Sequence, residues 1–501
     1  MELKEALDRL GQLEHTLYAY RYAMGVMSYD SETAAPELAA EGRGEALGTL
    51  SEVEYQLTAG PETGLLLEAL EQHKEQLTTQ QAAQLRVLKK QYDMYSKVPA
   101  AEVVEYTKLL NKSAVVWRKA KNENDFAAFA PYLEQLVETS KRFAGYFAPD
   151  KHPYDAWLDQ YEPGMTRKEL DGFFALLRSR IVPLLHRIQT EGQAPDISWL
   201  QQHWPREGQE KLSAKVMEIM GLNNGRCTLG ETEHPFTTGF SRDDVRITTH
   251  YYDEDFTFSL FSVVHEGGHA LYEMGVSPRL ARTSLSGGAS MGIHESQSRF
   301  YENLIGRSRA FAGVIWPVVR ECFPAQTENV TEEQFWRTIN RVEPSLIRTE
   351  ADELTYCLHI MVRYELEKQL FDGTMQVKDL PAAWNRLMEE YLGVQVPDDT
   401  RGVLQDTHWS GGSFGYFPSY ALGSAYGAQM MASMRKDLDV DALVAQGSLQ
   451  PVTDWLGEKI HQYGEEHTPD WLLQNACGAA FDPAFYVKYL EEKYTMVYGL
   501  Q

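Results

Sequence analysis

Cysteine is scarce in this chain of 501 residues: Cys227, Cys322, Cys357 and Cys477 lie far apart, and none belongs to a C-x-x-C pair. That usage suits reduced thiols and a cytoplasmic location rather than a disulfide framework. Basic residues are also short, 47 against 72 acidic ones, for a formal charge of −25. Such a field repels phosphate backbones and anionic lipid surfaces, which argues against nucleic acid and membrane as partners. The apolar stretch around Ala310 to Val319 is too short to span a bilayer, and the start, Met-Glu-Leu-Lys-Glu-Ala-Leu, has no basic region followed by an apolar one. There is no solenoid-period repeat and no low-complexity tract. Only 21 prolines interrupt a text rich in Leu, Ala, Glu and Gln, and with 43% hydrophobic residues the chain can bury a sizeable core.

The chain up to about Gly192 reads as successive amphipathic helices separated by breaks at Ala59-Gly60-Pro61 and Lys97-Val98-Pro99. From Thr166, Leu170, Phe173, Leu177, Ile181, Leu184 and Ile188 recur at three- and four-residue steps. Thr166 with Glu169 reads as a capping box at the start of that helix, and Pro183 as a kink in it. Such a stripe of Leu and Phe is scaffold, as any core requires. Between Gly225 and Asp253 glycines cluster around Val245-Arg246-Ile247-Thr248-Thr249, a β-branched run that predicts a small hairpin or sheet. Helical text resumes near Phe256. No composition shift marks a domain cut, so the expectation is one mainly α domain over residues 1–501. It divides into an N-terminal helical lobe (about 1–192), a motif-bearing region (about 225–430) and C-terminal helices (about 431–501).

The sequence His265-Glu266-Gly267-Gly268-His269 lies at the start of this second helical stretch. Residues four apart on a helix lie about 6 Å apart along its axis and nearly on one face, so both imidazoles can point at one ion. Glu266, about 100° further round, can reach water at a metal without being a ligand, which is a general-base position. Val263, Val264, Ala270 and Leu271 predict a helix buried on its other faces. The two glycines leave room for a substrate or a neighbouring strand to approach. A catalytic zinc needs a third protein ligand. His294-Glu295-Ser296-Gln297 follows a Gly-rich turn, and an antiparallel helix there can return Glu295 to the metal, with Glu302 as the competing ligand. Read by themselves, His265 and His269 can also be satisfied core histidines, and Glu295 one solvated acid among many.

These segments, with His234-Pro235-Phe236, Asp244-Val245-Arg246-Ile247-Thr248, Ile347-Arg348-Thr349-Glu350-Ala351-Asp352 and Gly402-Val403-Leu404-Gln405-Asp406-Thr407-His408-Trp409, resemble the thermostable carboxypeptidase 1 family, metallopeptidase family thirty-two. The resemblance implies a large helical, neurolysin-like fold with a deep active-site groove and a small sheet beside the H-E-x-x-H helix. It also implies a homodimer and a zinc-dependent metallocarboxypeptidase of broad specificity that releases single residues from peptides with a free C-terminus. It selects Glu295 as the third ligand beside His265 and His269, with Glu266 as base. Cobalt or manganese can substitute for zinc in such a donor set. A guanidinium fork suits the substrate's terminal carboxylate, which makes Arg348 and Arg246 the candidates and His234 a further substrate contact. Arg348 can equally form a helical ion pair with Asp352, four residues on. Tyr420, with Tyr416 next, is the candidate oxyanion donor, and His408 either contacts substrate or holds Asp406. The competing functions are a zinc endopeptidase or dipeptidase and, in another class, a peptide-binding protein without turnover; retention of Glu266 argues against the last.

Overall fold

The computed structural model of the chain describes residues 1–501. The fold is mainly α, with one three-stranded sheet beside the H-E-x-x-H helix, as the sequence predicts. Two compact units are interleaved along the chain. The first comprises Met1–Ser96, Asp196–Ile339 and Met430–Ala480, the second Lys97–Pro195, Asn340–Gln429 and Phe481–Gln501. Both predicted breaks near the N-terminus are present: one helix ends at Ala59 and the next starts at Pro61, and another pair is divided between Ser96 and Ala100. The helix Arg167–Glu191 buries the predicted stripe from Leu170 to Ile188 and continues through Pro183. Its capping box is incomplete. The Thr166 hydroxyl donates to the Glu169 carboxylate and makes no cap bond to the backbone.

In the first unit the β-branched run forms β3 (Asp244–Thr249), with β1 (Cys227–Glu231) parallel to it on one side and β2 (Thr237–Ser241) antiparallel on the other. Alternation along β3 buries Val245, Ile247 and Thr249 on one face and sets Asp244 and Arg246 on the other. The register pairs Thr237 with Ile247 and Thr238 with Arg246, which puts Thr237 at the edge nearest the motif helix, where its hydroxyl bonds Glu266.

The motif helix runs from Phe256 to Gly275 without interruption. Asp255 caps it, its carboxylate accepting from the Thr257 backbone N–H at 2.8 Å. Phe256, Leu260, Val263, Val264, Ala270 and Leu271 are buried around it. After the Gly-rich turn, a second helix runs from Met291 to Arg299, capped by the Ser290 hydroxyl, and continues as a π-helical segment from Phe300 to Gly306. The two motif glycines have a different purpose from the predicted one. A Cβ on Gly268 would sit 2.5 Å from the carbonyl oxygen of Gln297 and 2.7 Å from Cα of Ser298, and one on Gly267 would meet Met220 and Leu222. What approaches is therefore the backbone of the second helix, together with core side chains, and neither a strand nor open space for a substrate.

Because the atoms facing Gly268 are backbone, no rotamer change can relieve a clash there. Gly268→Ala should lose about 1–3 kcal/mol, the usual cost of overpacking, whereas Gly287→Ala, with nothing within 4 Å of its added Cβ, should leave the thermal melting temperature unchanged. Equal melting temperatures for both variants would show that the two helices are not held at the observed separation.

Candidate active site

Three potential metal-ligating atoms converge in the first unit. The Nε2 atoms of His265 and His269 lie 3.8 Å and 3.6 Å from Oε2 of Glu295, and ligand atoms from all three residues lie within 4.8 Å of one another. Those separations are too long for hydrogen bonds. They are near the roughly 3.3 Å expected between donors placed about 2.0–2.1 Å from a tetrahedral ion. The protonation pattern completes the fit. Nδ1 of His265 lies 2.8 Å from the Glu302 carboxylate, so Nδ1 bears a proton and Nε2 is the atom left to face a cation. Burial pulls the pKa of His269 down to about 3, leaving it a neutral imidazole. Two imidazole Nε2 atoms and a carboxylate oxygen thus face one another, an arrangement that a cation stabilises. Two histidines and a glutamate form a donor set used by catalytic zinc.

The surrounding groups set the charges. Burial alone would raise the pKa of Glu295, but Arg299 and the two histidines hold it well below the usual carboxylate range. Arg299 donates from Nε to Glu295 at 2.7 Å and from Nη1 to Glu302 at 3.1 Å, and Arg307 donates to Glu302 at 3.2 Å. Burial would likewise raise Glu302, and Arg299, His265 and Arg307 outweigh it. His265 is the opposite case: burial lowers its pKa, and the carboxylates of Glu302, Glu295 and Glu266 carry it above the ordinary value. Glu266 is pushed up by burial, with Thr237 opposing through a hydroxyl that donates to its Oε2 at 2.6 Å. It is buried beside the donor set and points to the sheet, a fixed carboxylate with raised basicity.

Glu302 is on the far side of the His265 ring from Glu295, against Nδ1 rather than Nε2. Arg246 lies in this unit, its Nε and Nη2 forked on Asp244 at 2.9 and 3.0 Å and its guanidinium over the rings of Tyr29 and Phe240. Its Nη1 has no hydrogen-bond partner in the chain. His234 is exposed, and its carbonyl accepts from the Thr232 hydroxyl.

The remaining sequence candidates belong to the second unit. Arg348 is buried and does not pair with Asp352, which instead caps the helix Glu353–Asp372 by accepting from the Leu354 and Thr355 backbone N–H groups. The 3-10 turn Arg348–Glu350 is followed by extended backbone at Ala351, so the helical spacing that such a pair needs is absent. Arg348 donates to Asp406 at 2.9 Å and from Nη1 to the Tyr356 hydroxyl at 3.0 Å. Arg363, fully buried, takes the other Asp406 oxygen at 2.6 Å. Burial would raise Asp406, and the two guanidiniums hold it well below its ordinary value. His408, lowered by burial to about 4, has Nδ1 4.0 Å from Asp406 and Nε2 3.3 Å from the Tyr420 hydroxyl. Tyr416 packs edge-on against Tyr161. The loop carrying His408 and Tyr416 is tied down by Glu367, a buried carboxylate that accepts from Tyr154, Trp409 Nε1 and the Gly415 backbone N–H at 2.7–2.9 Å.

Sequence reasoning missed Thr237, Arg299, Arg363 and Glu367. Only Arg299 left a local signal, four residues after Glu295 on one helix face. The others meet their partners through tertiary packing.

A donor set from an H-E-x-x-H helix and a carboxylate returned by the following helix, with a buried glutamate beside it, is the arrangement of a helical metallopeptidase. Comparison with known proteins gives the same class and narrows it. Residues 9–494 match the family model described as carboxypeptidase Taq (M32) metallopeptidase. Carboxypeptidase 1 of Bacillus subtilis is 42% identical over 498 residues, 99% of each chain, and thermostable carboxypeptidase 1 of Pyrococcus furiosus is 37% identical over 95% of this chain and 96% of that one. The crystal structure of the M32 carboxypeptidase of Deinococcus radiodurans superposes with a TM-score of 0.95 at 35% identity, covering 99% of this chain and all of that one. The chain belongs to the carboxypeptidase Taq (M32) metallopeptidase family. It is accordingly a metal-dependent hydrolase acting on peptides.

Burial pushes the Glu367 carboxyl from its ordinary 4.5 up to about 7. The folded chain therefore keeps a proton that the unfolded chain releases, and this contribution to stability is full below about pH 4.5 and lost as pH rises to about 7. In urea denaturation, the stability difference between wild type and Glu367→Gln should fall by on the order of 3 kcal/mol over that range. A pH-independent difference would show that the carboxyl is ionised throughout.

Proposed function

We propose that the chain is a zinc-dependent metallocarboxypeptidase that hydrolyses the C-terminal peptide bond of peptides and releases single amino acids with broad side-chain tolerance. The observation that carries this reading is the grouping of ligand atoms of His265, His269 and Glu295 within 4.8 Å of one another beside the buried Glu266, in a chain whose relatives are named carboxypeptidases. His265, His269 and Glu295 would hold the ion. When bound, a divalent cation supplies Lewis acidity that polarises the scissile carbonyl and acidifies water. Zinc suits two imidazoles and a carboxylate, and cobalt or manganese can replace it.

Glu266 takes a proton from the attacking water and passes it to the leaving amine. Its raised pKa favours the first transfer, and the Thr237 hydroxyl keeps one oxygen fixed. Two groups are assigned to the substrate's terminal carboxylate. Arg246 has Nη1 uncommitted, and in the second unit Arg348 and Arg363 share the single carboxylate of Asp406, an excess of buried positive charge that favours an anionic ligand. Tyr420, with His408 bonded to its hydroxyl, is assigned to donate to the developing oxyanion, and His234 to contact substrate. We further assign the protein to the cytoplasm and to a homodimer, on its cysteine usage and its family respectively.

The test is mass spectrometry of an unblocked peptide and its C-terminally amidated twin incubated with the purified chain. Stepwise loss of C-terminal residues from the free-acid peptide alone, abolished by a chelator, is the expected result; internal cuts in both peptides would make the enzyme an endopeptidase. Glu266→Gln should lower kcat by about 10²–10⁴-fold while bound metal stays at one per chain, and retained turnover would remove Glu266 from the base role.

A further inference from the structure

His265 and His269 are supported differently behind their Nε2 atoms. Nδ1 of His265 meets the Glu302 carboxylate directly. Nδ1 of His269 lies 2.6 Å from Nδ1 of a third imidazole, His294, whose Nε2 lies 2.7 Å from Oε1 of Glu273. The sequence folds this series back on itself. Glu273 follows His269 by four residues on the motif helix, and His294 immediately precedes Glu295 on the next. The His294 ring is also confined: Tyr272 packs on it at 5.1 Å, and a Cβ on Gly288 would come within 2.6 Å of its Cδ2. Tyr272 is itself fixed, its hydroxyl accepting from the Ala289 backbone N–H at 3.0 Å.

The order of protons along this series follows from the end at His269. An imidazole that offers its Nε2 lone pair to a cation carries its proton on Nδ1. Two Nδ1 atoms 2.6 Å apart cannot both bear protons, so Nδ1–H of His269 donates and Nδ1 of His294 accepts. The proton of neutral His294 is then on Nε2, where the Glu273 carboxylate, which only accepts, receives it. We propose that His294 and Glu273 are positioning residues that hold His269 in the tautomer and orientation needed to ligate a divalent cation, with the carboxylate acting on His269 through the intervening imidazole. The proposal rests on the reading of His265, His269 and Glu295 as a metal site. It extends to His269 the support that Glu302 gives His265, with one extra ring between ligand and acid.

Three substitutions separate the parts. His294→Phe keeps a ring in the space and removes the acceptor. His294→Asn puts an amide oxygen near the position of Nδ1, keeping the bond to His269 and cutting the link to Glu273. Glu273→Gln keeps an acceptor and removes the charge. Zinc affinity, measured by competition with a chromophoric chelator on variants whose circular dichroism and melting temperature match wild type, should fall about 10–100-fold in His294→Phe. It should fall less in the other two. Multiple-bond ¹H–¹⁵N spectra of the zinc-loaded chain should show a protonated Nδ1 in His269 and a protonated Nε2 in His294. A folded His294→Phe that binds zinc as tightly as wild type, or a His294 protonated on Nδ1, overturns the proposal while leaving the metal site standing. A wild-type chain that does not bind one zinc ion overturns the metal site itself, and the proposal with it.

Discussion

Two imidazole Nε2 atoms and a carboxylate oxygen are held against one another in the first unit, and much of the surrounding structure exists to hold them so. Left alone they repel. The scaffold answers with outward hydrogen bonds that fix where each proton resides. Glu302 takes the proton of His265, and Arg299 clamps Glu295 and Glu302 together from behind. The close approach of the two helices is the steric half of the same device. With any side chain at position 268, the backbone of Gln297 and Ser298 would be displaced, and Glu295 with it.

Charge is balanced over a wider circle than the donor set. Glu266, Glu295 and Glu302 are all buried. Against these three carboxylates stand Arg299 and Arg307, so with neutral imidazoles the ionised cluster carries an excess of negative charge, which raises the pKa of His265. The excess is not shared evenly. Arginine contacts hold Glu295 and Glu302 low, while Glu266, with only a threonine hydroxyl as its direct partner, is left with raised basicity. One shell of side chains thereby separates carboxylates that stay ionised from one able to exchange a proton, which is the division of labour that acid–base chemistry requires.

Much of this was legible in the sequence, for reasons that can be named. Helical periodicity and the breaks at Gly60-Pro61 and Val98-Pro99 are local properties, and they give the mainly α architecture directly. The β-branched run around Val245 marks the sheet, although the parallel pairing of β1 with β3 depends on a crossover that no local pattern encodes. The pairing of His265 with His269 follows from helix geometry alone. Arg348 shows where such reasoning fails. Four-residue spacing to Asp352 suggests an ion pair only if a helix joins them, and here Asp352 is the cap at which the helix starts. The true partner, Asp406, is 58 residues away.

The choice between Glu295 and Glu302 shows the same limit more sharply. Seven residues make nearly two helical turns, so on an α-helix both carboxylates lie on the same face, about 10 Å apart along the axis. Spacing therefore presents both acids to the motif helix and cannot rank them. What separates them is the side of the His265 ring that each meets: Glu295 faces Nε2 and Glu302 bonds Nδ1. A π-helical turn begins at Phe300, between the two acids, and shifts the register of the second relative to the first. An imidazole has two nitrogens with opposite tasks once one of them holds a cation. A helix that carries two glutamates in near register can supply both tasks from one strip of sequence, one acid on the ligating side and the other accepting the proton behind it.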